Sequence, residues 1–354
     1  MQSTSKGTSK IVLERVHIFF QYDMNVLTLW MKLSCFPQVN RNKKSLGLSF
    51  ASPSGVSILH NLVENCDVLV ENYLPDTLQK YEMDYATVSK LNPSLIYASI
   101  TGYGQTGPYR KRAGYDVMVE AEMGLMHITG SRDGPPVKVG VAVTDLTTGL
   151  YTSNSIMAAL LGRARTGKGQ HIDVALSDCQ VATLANIASS ALISGQPDSG
   201  RWGTAHPSIV PYRGFRTADG DILLGGGNDR LFGVLCEKLG KPEWMNDERF
   251  MTNGVRVKNR DILEAMIEVE TEKRTTKEWL EVLDESGMPY AAVNDIQGTL
   301  SHEHGELVFL SSMHTLVKLT SCSAGSRYGP GSRASHLWSD EAGKHACQIL
   351  VLEA

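Results

Sequence analysis

Short apolar runs alternate with helix-patterned segments along the first half of this 354-residue chain, and that alternation restricts the fold more than any other feature. Cys66–Glu71 reads as a short buried strand and follows a helical pattern from Pro53 to Asn65. Leu95–Thr101 is a second strand, preceded by a helical segment, Tyr85 to Leu91, that Asn92-Pro93 stops. A third, His171–Leu176, follows the turn Thr166–Gly169. After it, Ser177 is expected to cap a small-residue-rich apolar helix running to about Leu192. Parallel neighbours in a sheet need a crossover of a dozen or more residues, usually a helix. The pattern therefore predicts an α/β protein with a Rossmann-like parallel sheet. Residues 194–220 then turn rich in Gly, Pro and Ser. Beyond them Asp221–Gly226 reads as a strand, Leu231–Leu239 as a helix, and Lys258 to Leu283 as a pair of charged amphipathic helices. The expected organisation is a large domain over 1–204, with 1–39 atypical, a smaller α+β domain over 205–300, and a divergent C-terminal return segment over 301–354.

Charge and cysteine usage narrow the function classes. With 34 basic against 38 acidic residues the net charge is −4, which argues against a dedicated nucleic-acid binder. The six cysteines (Cys35, Cys66, Cys179, Cys236, Cys322, Cys347) form no C-x-x-C pair, so neither a zinc site nor a disulfide framework is expected. No apolar run approaches a membrane span. Lys6, Lys10 and Arg15 among Ser and Thr are faintly transit-like, with Glu14 against that reading.

Two glycine clusters and one aspartate bear on chemistry. Gly102-Tyr-Gly-Gln-Thr-Gly107 fits the dinucleotide fingerprint after a strand, but Pro108 and the run Tyr109–Arg112 follow instead of an apolar helix. Gly225-Gly-Gly227 lacks the Lys-Ser/Thr of a P-loop and reads as a tight turn. Asp145 lies at the end of the apolar, strand-like stretch from Val139, just before the periodic segment Leu150–Leu161. At such a junction, backbone N–H groups and the helix dipole favour a carboxylate. That stretch alone leaves two readings open: a helix-start residue, or a nucleophile toward an activated acyl group.

Several ordered runs carry a resemblance. Asn40-Arg-Asn-Lys-Lys-Ser45, Val70-Glu-Asn-Tyr-Leu-Pro75, Ser99–Pro108, Ala113-Gly-Tyr-Asp116, the Asp145 segment and Arg165-Thr-Gly-Lys-Gly-Gln170 stand in the order of the class III CoA-transferases, over roughly residues 40 to 296. Gly124–Gly130, Arg201-Trp-Gly-Thr-Ala-His206 and Ser208–Tyr212 look most like the members that move CoA between succinate and glutarate.

The resemblance implies Asp145 as nucleophile, with aspartyl anhydride and aspartyl-CoA thioester intermediates, and CoA carried from succinyl-CoA to glutarate. A CoA thioester is then a substrate, with no permanently bound cofactor or metal. Asn72 and Tyr73 match the pair that meets the pantetheine arm. Lys80, Lys43 and Lys44 match basic positions toward the phosphates, and Arg112 stands one residue from another. Tyr115 and Asp116 match the residues flanking the aspartate. Gly195, Gly200 and Gly203 fall in the region of a mobile glycine loop. A homodimer and a mitochondrial location are implied in the same way. Tyr115 stands where the racemase branch has a His for two-base proton exchange, and a phenol titrating near 10 suits that task poorly. His127, in an apolar segment, reads as a structural histidine. Residues 1–39, including Val26–Leu33, lack the strand-helix-strand unit that opens the family's chains, so the N-terminal βαβ unit is expected to be incomplete. Arg327-Tyr-Gly-Pro330 and the tail Ser332–Ala354 fit the family's ending poorly. An α-methylacyl-CoA racemase and an inactive, truncated binding chain remain as alternatives.

Overall fold

A computed structural model describes residues 9–13, 43–304 and 349–352 of the chain. They fall into two compact units: the described parts of Met1–Met126, Lys138–Asp198 and Leu316–Ala354, and those of His127–Val137 and Ser199–Thr315. The readings made above for Val26–Leu33, Arg327–Pro330, Cys35, Cys322 and Cys347 lie outside the described residues, and Cys66, Cys179 and Cys236 are buried thiols.

The first unit is built on a six-stranded sheet of β1 (Ser9–Leu13), β2 (Lys44–Leu48), β3 (Val68–Glu71), β4 (Ile96–Thr101), β5 (Gln170–Ala175) and the late strand β9 (Ile349–Leu352). Their order is β2-β1-β9-β3-β4-β5. From β9 through β5 the pairs are parallel, as the alternation predicts. The sheet as a whole is mixed, because β1 pairs antiparallel with both β2 and β9, a geometry that needs no helical crossover. The C-terminal residues 349–352, expected to be part of a divergent tail, supply the strand beside β3.

Successive strand residues face opposite ways, and both faces are covered. Leu69 and Tyr97 pack with Leu59 and Val63 of α1 (Pro53–Asn65) and Val88 of α2 (Tyr85–Leu91). Val68, Ile96 and Ala98 pack with Ile156 and Ala159 of α4 (Val143–Thr166), which follows the short α3 (Asp116–Glu122). Each large side chain buried this way stabilises the unit by roughly 1.5–3 kcal/mol. The end of α4 is pinned: Arg163 bonds Asp67 Oδ1 at 2.7 Å and reaches the carbonyls of Asp67 (3.4 Å) and Ser94 (3.2 Å), just ahead of β3 and β4. Four residues after the left-handed Gly167 that ends α4 the chain is inside β5, and a Cβ on Gly169 would meet Leu95 O at 1.9 Å. That close approach requires glycine.

The helix expected from Ser177 to Leu192 is two helices, α5 (Leu176–Thr183) and α6 (Ala185–Ser194). Ser177 does not cap it. The helix starts directly at the end of β5 with Ala175 as its cap residue, and Ser177 N donates to Gly102 O at 3.1 Å. The break falls at Ala185, whose φ is 44°.

The second unit has a three-stranded antiparallel sheet, β6 (Tyr212–Arg216), β7 (Asp221–Gly225) and β8 (Tyr290–Ala292). Its helices of six residues or more are α7 (Asp229–Leu239), α8 (Asn253–Lys258), α9 (Arg260–Thr271) and α10 (Thr276–Leu283). Phe215, Ile222, Phe232, Phe250, Leu263 and Trp279 share its core. The start of α10 is a capping box between Thr275 and Glu278. The segment 127–137 belongs here because Arg201 donates to the carbonyls of His127 (2.9 Å) and Gly134 (3.0 Å), and Gly203 N to Gly130 O (2.8 Å). Arg256, 0% exposed, holds the unit together: it donates to Val210 O (2.8 Å), Phe250 O (2.9 Å) and Asp229 Oδ1 (2.7 Å), with its guanidinium over the Phe232 ring. Replacing it with an apolar residue strands buried acceptors. Arg256→Leu is expected to destabilise this unit by roughly 2–4 kcal/mol, from the two buried carbonyls of Val210 and Phe250 left without a donor, read as a lowered urea midpoint.

Candidate active site

Long helix α4 sets the site. Its C-terminal end is tied ahead of β3 and β4 by Arg163, so its N-terminal end lies toward the opposite, carboxyl edge of the sheet. Asp145 stands 18 residues before Arg163, about 27 Å along a helix. Parallel strands of four to six residues span only about 13–20 Å. The N-terminal turn of α4 therefore overhangs the edge where β3 ends at Asn72–Tyr73 and β4 at Gly102. That is where open α/β sheets bind their ligands.

Asp145 is not at a strand-to-helix junction. Val139–Ala142 form no strand, and Asp145 is the third residue of α4. The apolar run does not pair because the Val139 N–H is taken by a side chain, Glu120 Oε2, at 3.1 Å. Ala142, the cap residue, has no group to offer the helix N-terminus. Asp116 of α3 does that work in trans: Oδ1 accepts from Thr144 N (2.8 Å) and Asp145 N (3.1 Å). Thr144, Thr148 and Thr152 form a buried stripe behind Asp145, with the hydroxyls of Thr148 and Thr152 donating one turn back. The Thr144 hydroxyl meets Gln180 of α5.

Among the described residues no hydrogen bond reaches the Asp145 carboxylate. The residue is 9% exposed, and burial, then the Asp116 charge, pushes its pKa up to about 7. A carboxylate short of hydrogen bonds and beside a like charge is unusually basic, and basicity favours attack on a thioester.

Asn72 and Tyr73 leave β3 directly, Asn72 exposed and Tyr73 half-buried. Glu71, which sequence reasoning passed over, organises this turn: Oε2 accepts from Tyr73 N at 2.8 Å. Burial pushes Glu71 up to about 7 against the bonds from Ser99 and Tyr73, and Ser99 Oγ lies 2.8 Å from His171 Nε2. Tyr73 packs edge-on to Phe50, which stacks on Tyr81, and the Lys80 ammonium sits 4.7 Å over the Tyr81 ring. The structure thus links Tyr73 to Lys80 through the rings of Phe50 and Tyr81.

It does not bring Lys43 and Lys44 to them. The register runs from Lys44 through Leu13 and Leu350 to Leu69, two residues short of Glu71. Three strand spacings, about 14 Å, separate Lys44 from β3. Arg112 is bound to Glu122 at 2.7 Å and lies 5.3 Å from the centres of the Tyr103 and Tyr109 rings. Arg110, which the sequence reading did not single out, pairs with Asp76 in the turn after Tyr73.

Tyr115 is the cap residue of α3 and 71% exposed. Gly195, Gly200 and Gly203 all have left-handed φ, of 64°, 70° and 59°. Gly195 ends α6, and the Gly203 amide is fixed to Gly130, which ties that glycine down. His127 is exposed, on a four-residue helix over 125–128, not packed among apolar side chains. No helix follows Gly107 until α3 begins at Asp116. Among the described residues there is no cluster of His, Cys, Asp and Glu that could hold a metal ion, and no helix long and apolar enough to cross a membrane.

Comparison with known proteins shows which family the chain belongs to. Residues 28–312 match the sequence pattern of CoA-transferase family III. The chain belongs to that family. Succinyl-CoA:glutarate CoA-transferase of Mus musculus is 44% identical over 89% of this chain and 73% of its own length. The Homo sapiens protein of that name is 43% identical over 88% and 72%. Among solved structures, a CAIB/BAIF family protein from Brucella suis is 43% identical, with a TM-score of 0.68 over 73% of this chain and 68% of that one. The protein is thus an enzyme of the CoA-transferase type, and a CoA thioester is its substrate.

For this family III enzyme the raised Asp145 has a measurable consequence. Its carboxyl is pushed to about 7 when folded and titrates at 3.8 ordinarily. Between those values the folded chain holds more protons than the unfolded one, so stability falls as pH rises through the window. Above about 7 the full cost is present. Asp145→Asn removes it, and the variant is expected to resist urea better than the parent at pH 8, by on the order of 2–4 kcal/mol. The difference should shrink toward pH 4; a constant difference would contradict the shift.

Proposed function

We propose that this enzyme carries CoA from succinyl-CoA to glutarate through covalent intermediates on Asp145. The observation that carries the reading is the Asp145 carboxylate itself: largely buried, without a hydrogen-bond partner among the described residues, and at the carboxyl edge of the sheet with Asn72 and Tyr73. The names of the mouse and human relatives, and of the Agrobacterium fabrum succinate–glutarate CoA-transferase at 45% identity, support the choice of substrates.

One Asp145 oxygen attacks the succinyl thioester carbonyl. The C–S bond breaks, CoA leaves as thiolate, and a mixed anhydride remains. The thiolate then attacks the aspartyl carbonyl, releasing succinate and leaving an aspartyl-CoA thioester. A glutarate oxygen attacks that thioester, and the freed thiolate attacks the glutaryl carbonyl of the second anhydride. Glutaryl-CoA forms and Asp145 is restored. Each step exchanges one activated acyl for another, with no net proton transfer. Burial of Asp145 against the Thr144, Thr148 and Thr152 stripe limits the water that would hydrolyse these intermediates. In this reading Asn72, Tyr73 and Lys80 meet the CoA arm, and Arg112, Lys43 and Lys44 lie farther out toward its phosphates. Tyr115 and Asp116 flank the nucleophile, and Gly195, Gly200 and Gly203 belong to a mobile glycine loop.

Asp145→Ala is expected to abolish glutaryl-CoA formation with the fold intact by circular dichroism. Mass spectrometry of the parent with succinyl-CoA and glutarate should find CoA on the peptide that contains Asp145. Near-normal turnover in Asp145→Ala would refute the covalent route. Exchange of an α-proton for deuterium without CoA transfer would instead establish the racemase reading.

A homodimer is part of the proposal. Leu146, Leu150, Met157 and Leu161 lie along one face of α4 and are 52–72% exposed, an apolar stripe that a second copy would cover. Leu150→Glu with Leu161→Glu is expected to turn a dimer into a monomer in sedimentation velocity. A parent chain that sediments as a monomer would refute it. Residence in mitochondria belongs to the same reading, and cell fractionation tests it.

A further inference from the structure

Glu120 is completely buried, on α3 one turn after Asp116. Val139 N donates to its Oε2 at 3.1 Å, while Oε1 meets no hydrogen-bond partner. The groups acting on it are Asp116 on its own helix and Lys138 just before Val139, which forms no ion pair with it. Helices α4 and α5 pack against α3. From α4 the titratable group is Asp145, which faces Asp116, and from α5 they are Asp178 and Cys179, none of which is among the charges acting on Glu120. An ionised carboxylate buried with one N–H bond, no ion pair and a second carboxylate one turn away is strongly disfavoured. Burial and the Asp116 charge both raise its pKa. The protonated acid has an O–H to give, and the acceptor one turn away is Asp116.

We propose that Glu120 is a positioning residue for the transfer reaction: a neutral acid, clamped by the Val139 amide, that donates to Asp116 and holds that carboxylate over the amides of Thr144 and Asp145. The inference rests on Asp145 as the nucleophile. With Asp116 so held, the amides at the helix start serve Asp116 and not Asp145, and the Asp116 charge lies against the attacking group. Both effects keep Asp145 basic.

Two measurements test it. Infrared difference spectra of the parent and Glu120→Gln at pH 8 should show a protonated carboxylic acid band that the variant lacks; no such band overturns the proposal. In kinetics, Glu120→Gln keeps an oxygen for Val139 and an N–H for Asp116, so kcat should stay within about twofold of the parent and the pH profile should not move. Glu120→Leu should lower kcat roughly ten- to a hundredfold with the acyl-CoA KM little changed. In that variant the rise of kcat with pH should move to lower pH, because Asp116, no longer held from behind, can swing its charge away from Asp145. A Gln variant as impaired as the Leu variant, or a Leu variant identical to the parent, overturns the proposal. Trapping CoA on the Asp145 peptide in the same samples keeps the two readings apart. Absence of an adduct in the parent counts against the nucleophile, while the infrared band still decides where the proton is.

Discussion

One carboxylate, Asp116, holds the first turn of the long helix in place. The chain entering α4 brings no capping side chain of its own, so the exposed amides of that turn depend on a residue 28 positions away, and Asp116 serves two of them. The arrangement fixes the direction of the Asp145 side chain, separates it from the helix amides and sets a like charge beside it. A group normally stabilised at a helix start is here denied that stabilisation. The cost to the fold is local, and it falls on the residue proposed here as the nucleophile.

That turn is useful only because of where the sheet leaves it. Arg163 anchors the far end of α4 among carbonyls that precede two strands, while Ile156 and Ala159 pack on the sheet between the two ends. Length does the rest, since a helix of 24 residues outruns strands of four to six. The edge reached by Asp145 is also where Glu71 closes the Asn72–Tyr73 turn and where the glycines after β4 keep the loop low. Both ends of the arrangement place a buried acid next to a backbone amide, Glu71 with Tyr73 and Glu120 with Val139.

Periodicity carried much of this into the sequence. The helices Pro53–Asn65 and Tyr85–Leu91 are readable to the residue from their patterns and their Pro and Asn punctuation, and β3, β4 and β5 from their apolar runs. The stretch Val139–Ala142 misleads for a physical reason: its composition suits a strand, but a strand needs a neighbour, and its first amide is already bound by a side chain. Glu71, Glu120 and Arg256 look like surface charges in the sequence, because nothing in a single chain marks a charged residue as buried. The pairing of residues 349–352 with β3 depends on contacts across most of the chain, which no local pattern records. The short motifs point to Asp145 and are silent about the buried acids Glu71 and Glu120.

The position of β9 has a consequence for how the molecule comes into being. Among the described residues, the last strand lies third from one edge, between β1 and β3, and through it β1 and β2 join the rest of the sheet. On the ribosome β3, β4 and β5 can assemble as they emerge, with their crossover helices beside them. Among the described strands, β1 and β2 pair only with each other until β9 has been made. Such long-range closure is slow relative to local pairing. Throughout synthesis the edge of β3 stays open, and a nascent chain must be kept from pairing there with anything else.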